Sequence, residues 1–163
     1  MEKFQELRDI SKKKIWLADH ILTQTYPLLK DPHLLLSSLE TLFLAYANSI
    51  GALLHYERQF NRIPEFKEDF DSKLRALRDN CAKRYLIKQE DINMIKEIRD
   101  IIVQHKKSPV EFVREDRFII CSDDYSMKTI NVDKLKTMLA TGKVFIDKVN
   151  YITSKDESIF KRR

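Results

Sequence analysis

No proline interrupts the chain from His33 to Arg62, and Leu34, Leu35, Leu36, Leu39, Leu42, Phe43, Leu44, Ile50, Leu53 and Leu54 cover most of a helical circumference there. A helix apolar on so many sides cannot lie on a surface and has to be wrapped by other elements, so this segment predicts the central rod of a helical bundle. Asp31-Pro32 starts it, with an acid at the cap and proline at the first helical position, and Ile63-Pro64 closes it. Ala45, Ser49 and Ala52 line small side chains along one edge, where a neighbouring helix can approach closely. Glu40 and Asn48 are the polar exceptions, expected to satisfy each other or a nearby backbone group.

The partners for that rod are legible on both sides of it. Phe4, Leu7, Ile10, Ile15, Leu17, Ile21, Leu22 and Leu28 recur at near-helical intervals and predict an amphipathic first helix to about Leu29, kinked or ended by Pro27. A third helical stretch is expected from about Glu65 to Lys83 on the stripe Phe66, Phe70, Leu74 and Leu77, interrupted by Tyr85-Leu86-Ile87. A fourth starts near Glu90, carries Ile92, Met94, Ile95, Ile98, Ile101, Ile102 and Val103, and runs to Lys107, where Ser108-Pro109 stops it.

The pattern changes from Val110 to Ile130. Phe112, Val113, Phe118, Ile119, Ile120 and then Met127 to Ile130 are separated by Glu115-Asp116 and Ser122-Asp123-Asp124, which reads as a small antiparallel hairpin or meander. Asn131 then caps a final helix whose buried stripe is Leu135, Met138, Leu139, Phe145, Val149 and Ile152, with Gly142 on the same stripe marking a close crossing. Residues 154–163 read as a loose tail. The expectation is a mainly α protein, one domain over residues 1–163: an antiparallel bundle of about five helices with a hairpin at 110–130 before the last.

Composition removes several function classes. With two glycines, Gly51 and Gly142, the chain has no glycine-rich loop to cradle a nucleotide's phosphates. Cys81 and Cys121 stand far apart with no histidine at ligand spacing, so neither a zinc site nor a disulfide framework is expected, and a reducing, cytoplasmic setting fits. Met1 to Arg8 carries charge where a secretory leader would be apolar, and Ser37, Ser38, Glu40, Asn48 and Ser49 break the apolar region that would have to span a bilayer. No membrane association and no cofactor are expected. His20, His33 and His55 fall on separate helices and read as boundary or solvent-facing residues, and Ser122-Asp123-Asp124 reads as a turn before a cation loop. Trp16, Tyr46, Tyr56 and Tyr85 could stack on bases, although aromatics at helical spacing more often belong to a core. The net charge of +5 is spread thinly, with local runs at Lys12-Lys13-Lys14, Lys106-Lys107 and Lys161-Arg162-Arg163, and permits a nucleic-acid partner without demanding one.

One segment carries chemistry: Glu97-Ile98-Arg99-Asp100-Ile101-Ile102-Val103-Gln104-His105, on the fourth helix. An arginine followed by a polar residue and, after five intervening positions, a histidine near the helix end resembles the motif of the HEPN superfamily. The run from Leu42 to Leu54 is similar to the alanine- and aromatic-rich second helix of that family, and the resemblance covers roughly Ile15 to Lys107. The run His105 to Phe112 also resembles small archaeal proteins of no known activity. The resemblance implies a homodimer that cuts RNA without a metal. His105 would move protons while a ribose 2′-hydroxyl attacks the adjacent phosphate. Arg99 would hold that phosphate and stabilise the developing charge. Asp100 would orient Arg99 or the imidazole, and Lys106 and Lys107 would bind RNA.

Six helical positions give about 9 Å of rise and about 240° of turn, so one straight helix does not aim Arg99 and His105 at the same spot. Two copies about a two-fold axis are needed for a shared cleft. The competing readings are a non-catalytic interaction module and a toxin paired with a nucleotidyltransferase antitoxin. In the bland alternative, Lys96 and Asp100 form a surface ion pair, Arg99 faces solvent, and His105 complements the helix C-terminus.

Overall fold

The computed structural model describes residues 1–107, 110–114, 116–121 and 127–155. The elements in chain order are α1 (Lys3–His20), α2 (Tyr26–Leu29), α3 (His33–Gln59), α4 (Phe70–Ala76), α5 (Gln89–Lys107), β1 (Val110–Arg114), β2 (Arg117–Cys121), β3 (Met127–Ile130) and α6 (Val132–Ser154). The protein is mainly α, with the small antiparallel sheet inserted before the last helix.

At the centre lies α3, whose Leu35, Leu42, Ala45, Tyr46, Ile50, Leu53 and Leu54 have no exposed surface. Among the described residues it is the one helix long and apolar enough to cross a bilayer, yet 56% of its most apolar window is buried inside the fold. α1 and α6 pack along it, and two buried serines tie α1 to α3 in both directions. Ser11 Oγ donates to the Ala45 carbonyl at 3.0 Å, and Ser38 Oγ donates to the Ala18 carbonyl at 2.9 Å. The small edge seen in the sequence therefore receives α1. Gly142 on α6 meets α3, since a Cβ there would lie 2.9 Å from Leu42 Cδ1.

Local chemistry explains where the elements begin and end. A π-turn at Ile21–Thr25 joins α1 to α2, and Tyr26 N–H reaches back to the Ile21 carbonyl just ahead of Pro27. Proline has no N–H to continue the ladder, so the wider turn absorbs the defect before the helix ends with Lys30 in the left-handed region. Asp31 Oδ1 accepts from His33 N–H at 3.0 Å and opens α3. The third helix starts later than the apolar stripe predicts. Asp69 accepts from Ser72 N–H at 3.0 Å and caps α4 at Phe70, which leaves Phe66 outside the helix, edge-on to His55 at 5.3 Å. A π-turn at Leu77–Cys81 extends α4 and leads into the turn before α5.

The strands run in the order β1-β2-β3, with Val110 opposite Cys121 and Phe118 opposite Ile130. Phe118, Ile120 and Ile130 are buried and seat this sheet against α3 and α5. Asn131 Oδ1 accepts from Lys134 N–H at 2.8 Å and starts α6, as expected from the cap residue. The stop at Ser108-Pro109, the turns at Glu115 and Ser122-Asp123-Asp124, and the tail beyond Lys155 lie outside the described residues.

Candidate functional site

Rigid backbone carries the arginine and histidine. Ile92, Ile95, Ile98, Ile101 and Ile102 bury one face of α5, so the residues between them are turned outward in a fixed order. Arg99 follows Ile98 and leans towards α4. Its Nε donates to Asp100 Oδ1 at 2.9 Å, and its Nη1 donates to Asp71 Oδ1. Burial works against its charge, but the hydrogen bonds it donates to Asp100 and Asp71 more than offset that and raise its pKa. Asp100 thus engages the arginine, not the imidazole.

His105 sits in the last turn of α5 and faces another part of the molecule. Its Nδ1 meets the Glu111 carboxylate of β1, and its Nε2 lies 3.7 Å from Glu40 Oε1 of α3. The ring also stands edge-on to Phe118, with centroids 6.3 Å apart. Glu111 fixes the orientation of the ring as a carboxylate does in proton-transfer sites. Both site side chains are part-exposed, Arg99 at 26% and His105 at 29%. Lys106 and Lys107 are exposed beyond them.

Within one chain the two groups answer to different neighbours, Arg99 to α4 and His105 to α3 and β1. The helical phase anticipated this separation. The carboxylates around the histidine come from other elements that the spacing does not reveal: Glu111 lies on β1, and Glu40 reads in the sequence only as a polar exception on an apolar helix. Asn48, its companion exception, donates to the Leu44 carbonyl at 2.7 Å and plays no part here.

Arg99 also forms one wall of a cleft of about 390 Å³ between α4 and α5, lined by Asp71, Leu74, Arg75, Arg78, Ile92, Lys96 and Arg99. Elsewhere, Trp16 is 65% exposed on α1, beside Lys12, Lys13 and Leu17, and stacks on His20 at 5.1 Å with 13° between planes. Tyr46 and Tyr56 are core residues. His33 pairs with Asp31 at 2.8 Å, and His55 lies 3.2 Å from Glu68. No group of three or more His, Cys, Asp or Glu placed to hold a metal occurs among the described residues.

The polar centre that the sequence concealed lies at the other end of α3. Glu57 has no exposed surface, and its carboxylate accepts from Arg84 Nη1 at 2.6 Å and from the Tyr85 hydroxyl, with Arg62 Nη1 at 3.7 Å. Burial, then the hydrogen bond to Glu57, pushes the Tyr85 pKa up to about 12. A single glutamate in a helix next to Tyr56 gives no periodic signal for such a cluster. It clamps the turn before α5 to the core, which helps set where Arg99 stands.

Fold and site together define a helical bundle with an embedded three-stranded sheet and an arginine and a histidine presented from one rigid helix. No family model, curated protein or solved structure matches this chain.

Proposed function

We propose that the chain is a HEPN-like, metal-independent endoribonuclease that works as a homodimer through Arg99 and His105. The observation that carries this reading is that α5 holds both side chains part-exposed and each anchored by carboxylates, Arg99 by Asp71 and Asp100, His105 by Glu111. Anchored groups lose less freedom when a substrate arrives.

In this mechanism the His105 imidazole takes the proton of a ribose 2′-hydroxyl, whose oxygen attacks the adjacent phosphorus. The bond to the 5′-oxygen breaks, and the imidazolium of the second copy protonates that leaving oxygen. A 2′,3′-cyclic phosphate and a free 5′-hydroxyl result. Arg99 holds the non-bridging oxygens as charge gathers on them. Two copies are required because α5 alone does not converge its two groups, and a cytoplasmic setting is part of the same proposal.

A non-catalytic binding module is the second reading, favoured by the separate neighbours of Arg99 and His105. A toxin silenced by a nucleotidyltransferase partner is a variant of the first, and finding a gene for such an enzyme next to this one would support it. The test is incubation of purified protein with structured RNA in excess chelator. Cleavage lost in both Arg99→Ala and His105→Ala, in a protein that sediments as a dimer, supports the nuclease. Cleavage that survives both substitutions removes the site, and no cleavage under any condition leaves the binding module.

A further inference from the structure

The cleft between α4 and α5 has a charge pattern that the packing of the bundle does not require. Two helices face each other across it, and each presents two cations three positions apart, Arg75 and Arg78 on one wall, Lys96 and Arg99 on the other. Leu74 and Ile92, exposed at 3% and 1%, close its floor. Its volume of about 390 Å³ falls within the range of small-molecule sites, which begins at about 300 Å³.

Internal neutralisation of these cations is incomplete. Arg99 is held by Asp71 and Asp100, and Arg78 by Asp79 at 2.9 Å. Arg75 reaches only Ser72 Oγ at 3.4 Å. Among the described residues, neither Arg75 nor Lys96 has a carboxylate within ion-pair distance. Like charges gathered around a concave, low-dielectric floor repel one another more strongly than on an open surface. An anion in the cleft relieves that repulsion, and the forked donors of arginine match phosphate oxygens in geometry as well as charge.

We infer that the Arg75, Arg78, Lys96 and Arg99 cleft binds the phosphodiester backbone of a single RNA strand. The nuclease reading is needed only for the choice of RNA among polyanions. Arg99 is shared by cleft and candidate site, so a strand seated here runs towards the reacting groups. Arg75 and Arg78 stand on one wall and Lys96 and Arg99 on the other, so the cations line both sides of the cleft and are not gathered at one point. A bare phosphate ion fills less of this cleft than a strand does.

The experiment uses the full chain and a fluorescent 2′-O-methyl RNA 12-mer, which lacks the 2′-hydroxyl that the proposed cleavage needs, with AMP and inorganic phosphate as competitors. Arg75 and Arg78 are exposed, so Arg75→Gln with Arg78→Gln changes charge without emptying the core. Anisotropy is expected to show binding by the unmodified chain and a loss of about tenfold or more in the double variant. The slope of log affinity against log salt is expected to flatten by about 1.4, at ~0.7 per contact for a single strand.

Unchanged affinity and slope in the double variant overturn the inference, as does no binding by the unmodified chain. AMP binding as tightly as the 12-mer overturns the strand assignment. Failure here with Arg99- and His105-dependent cleavage intact leaves the nuclease standing. Binding lost with the arginines, without cleavage of unmodified RNA, removes the nuclease and keeps the cleft.

Discussion

Arg84 Nη1 lies 2.6 Å from Oε2 of Glu57, and of the two side chains the carboxylate is fully buried while the guanidinium is 44% exposed. The pair is therefore asymmetric. Removing Arg84 strands a buried charge with the more distant Arg62 and the Tyr85 hydroxyl, whereas removing Glu57 leaves its arginines in contact with water. Arg84→Ala is expected to destabilise the protein by about 2–3 kcal/mol, below the ~3–5 kcal/mol of a fully buried broken pair because solvent screens the exposed partner. Glu57→Gln is expected to cost about 1 kcal/mol. Urea unfolding of both variants measures the difference, and an equal or reversed order would contradict this account of the clamp.

The second expectation concerns pH. Burial lowers the pKa of His55, with Glu68 pulling it up and Lys73 and Lys3 pushing it further down. The folded value lies below the unfolded one of about 6.5, so the unfolded chain takes up a proton first as pH falls. The contribution of neutral His55 is complete above about 6.5 and is lost as pH drops towards and through the folded value. Stability is expected to fall from pH 7.5 to pH 5, and His55→Gln to flatten that fall. Parallel melting curves for the two proteins across that window would argue against His55 as a source of the slope.

Gly142 lets α6 lie against α3. A Cβ at this position would stand 2.9 Å from Leu42 Cδ1 and 3.3 Å from the Tyr46 hydroxyl. Gly142→Ala is expected to be nearly neutral, because about 1 kcal/mol of helix propensity offsets the displacement of one methyl group. Gly142→Val adds branches that the neighbours cannot clear, and about 2–3 kcal/mol is expected to be lost. Thermal melts of the two variants test this, and a fully tolerated valine would mean that the helices do not cross so closely.

Cys81 has no exposed surface, and burial, with Glu57 adding to it, pushes its thiol pKa up to about 12. Reagents act on the thiolate, so Cys81 is expected to be inert at pH 8 until the protein unfolds. In a Cys121→Ser background, the rate of thiol labelling should follow the unfolded fraction through a urea titration. Rapid labelling without denaturant would show that the turn before α5 opens in the native state.

Much of the architecture was readable along the chain because its signals are local. Asp31-Pro32, Asn131 and the stripe on α5 place helix starts and faces within the residues that form them, and short apolar runs separated by acidic residues announce the strands. The third helix was misplaced because Phe66 fits the stripe, while the hydrogen bond from Ser72 N–H to Asp69 decides the start. In the candidate site, Arg99, Asp100 and His105 were named from their spacing. Glu40 and Glu111 beside His105, and Asp71 beside Arg99, come from other elements and leave no trace in a spacing.

Periodicity and capping are properties of neighbouring residues, so the order of helices and strands, the central place of α3 and the outward faces of α5 follow from the chain alone. Which charges meet is settled by how those helices cross. Glu57 under Arg84, the carboxylates around His105 and the four cations facing across one cleft each join residues distant in sequence. A charged side chain looks the same in a string of letters whether it ends in water or against a partner. Packing alone removes the water and makes the difference.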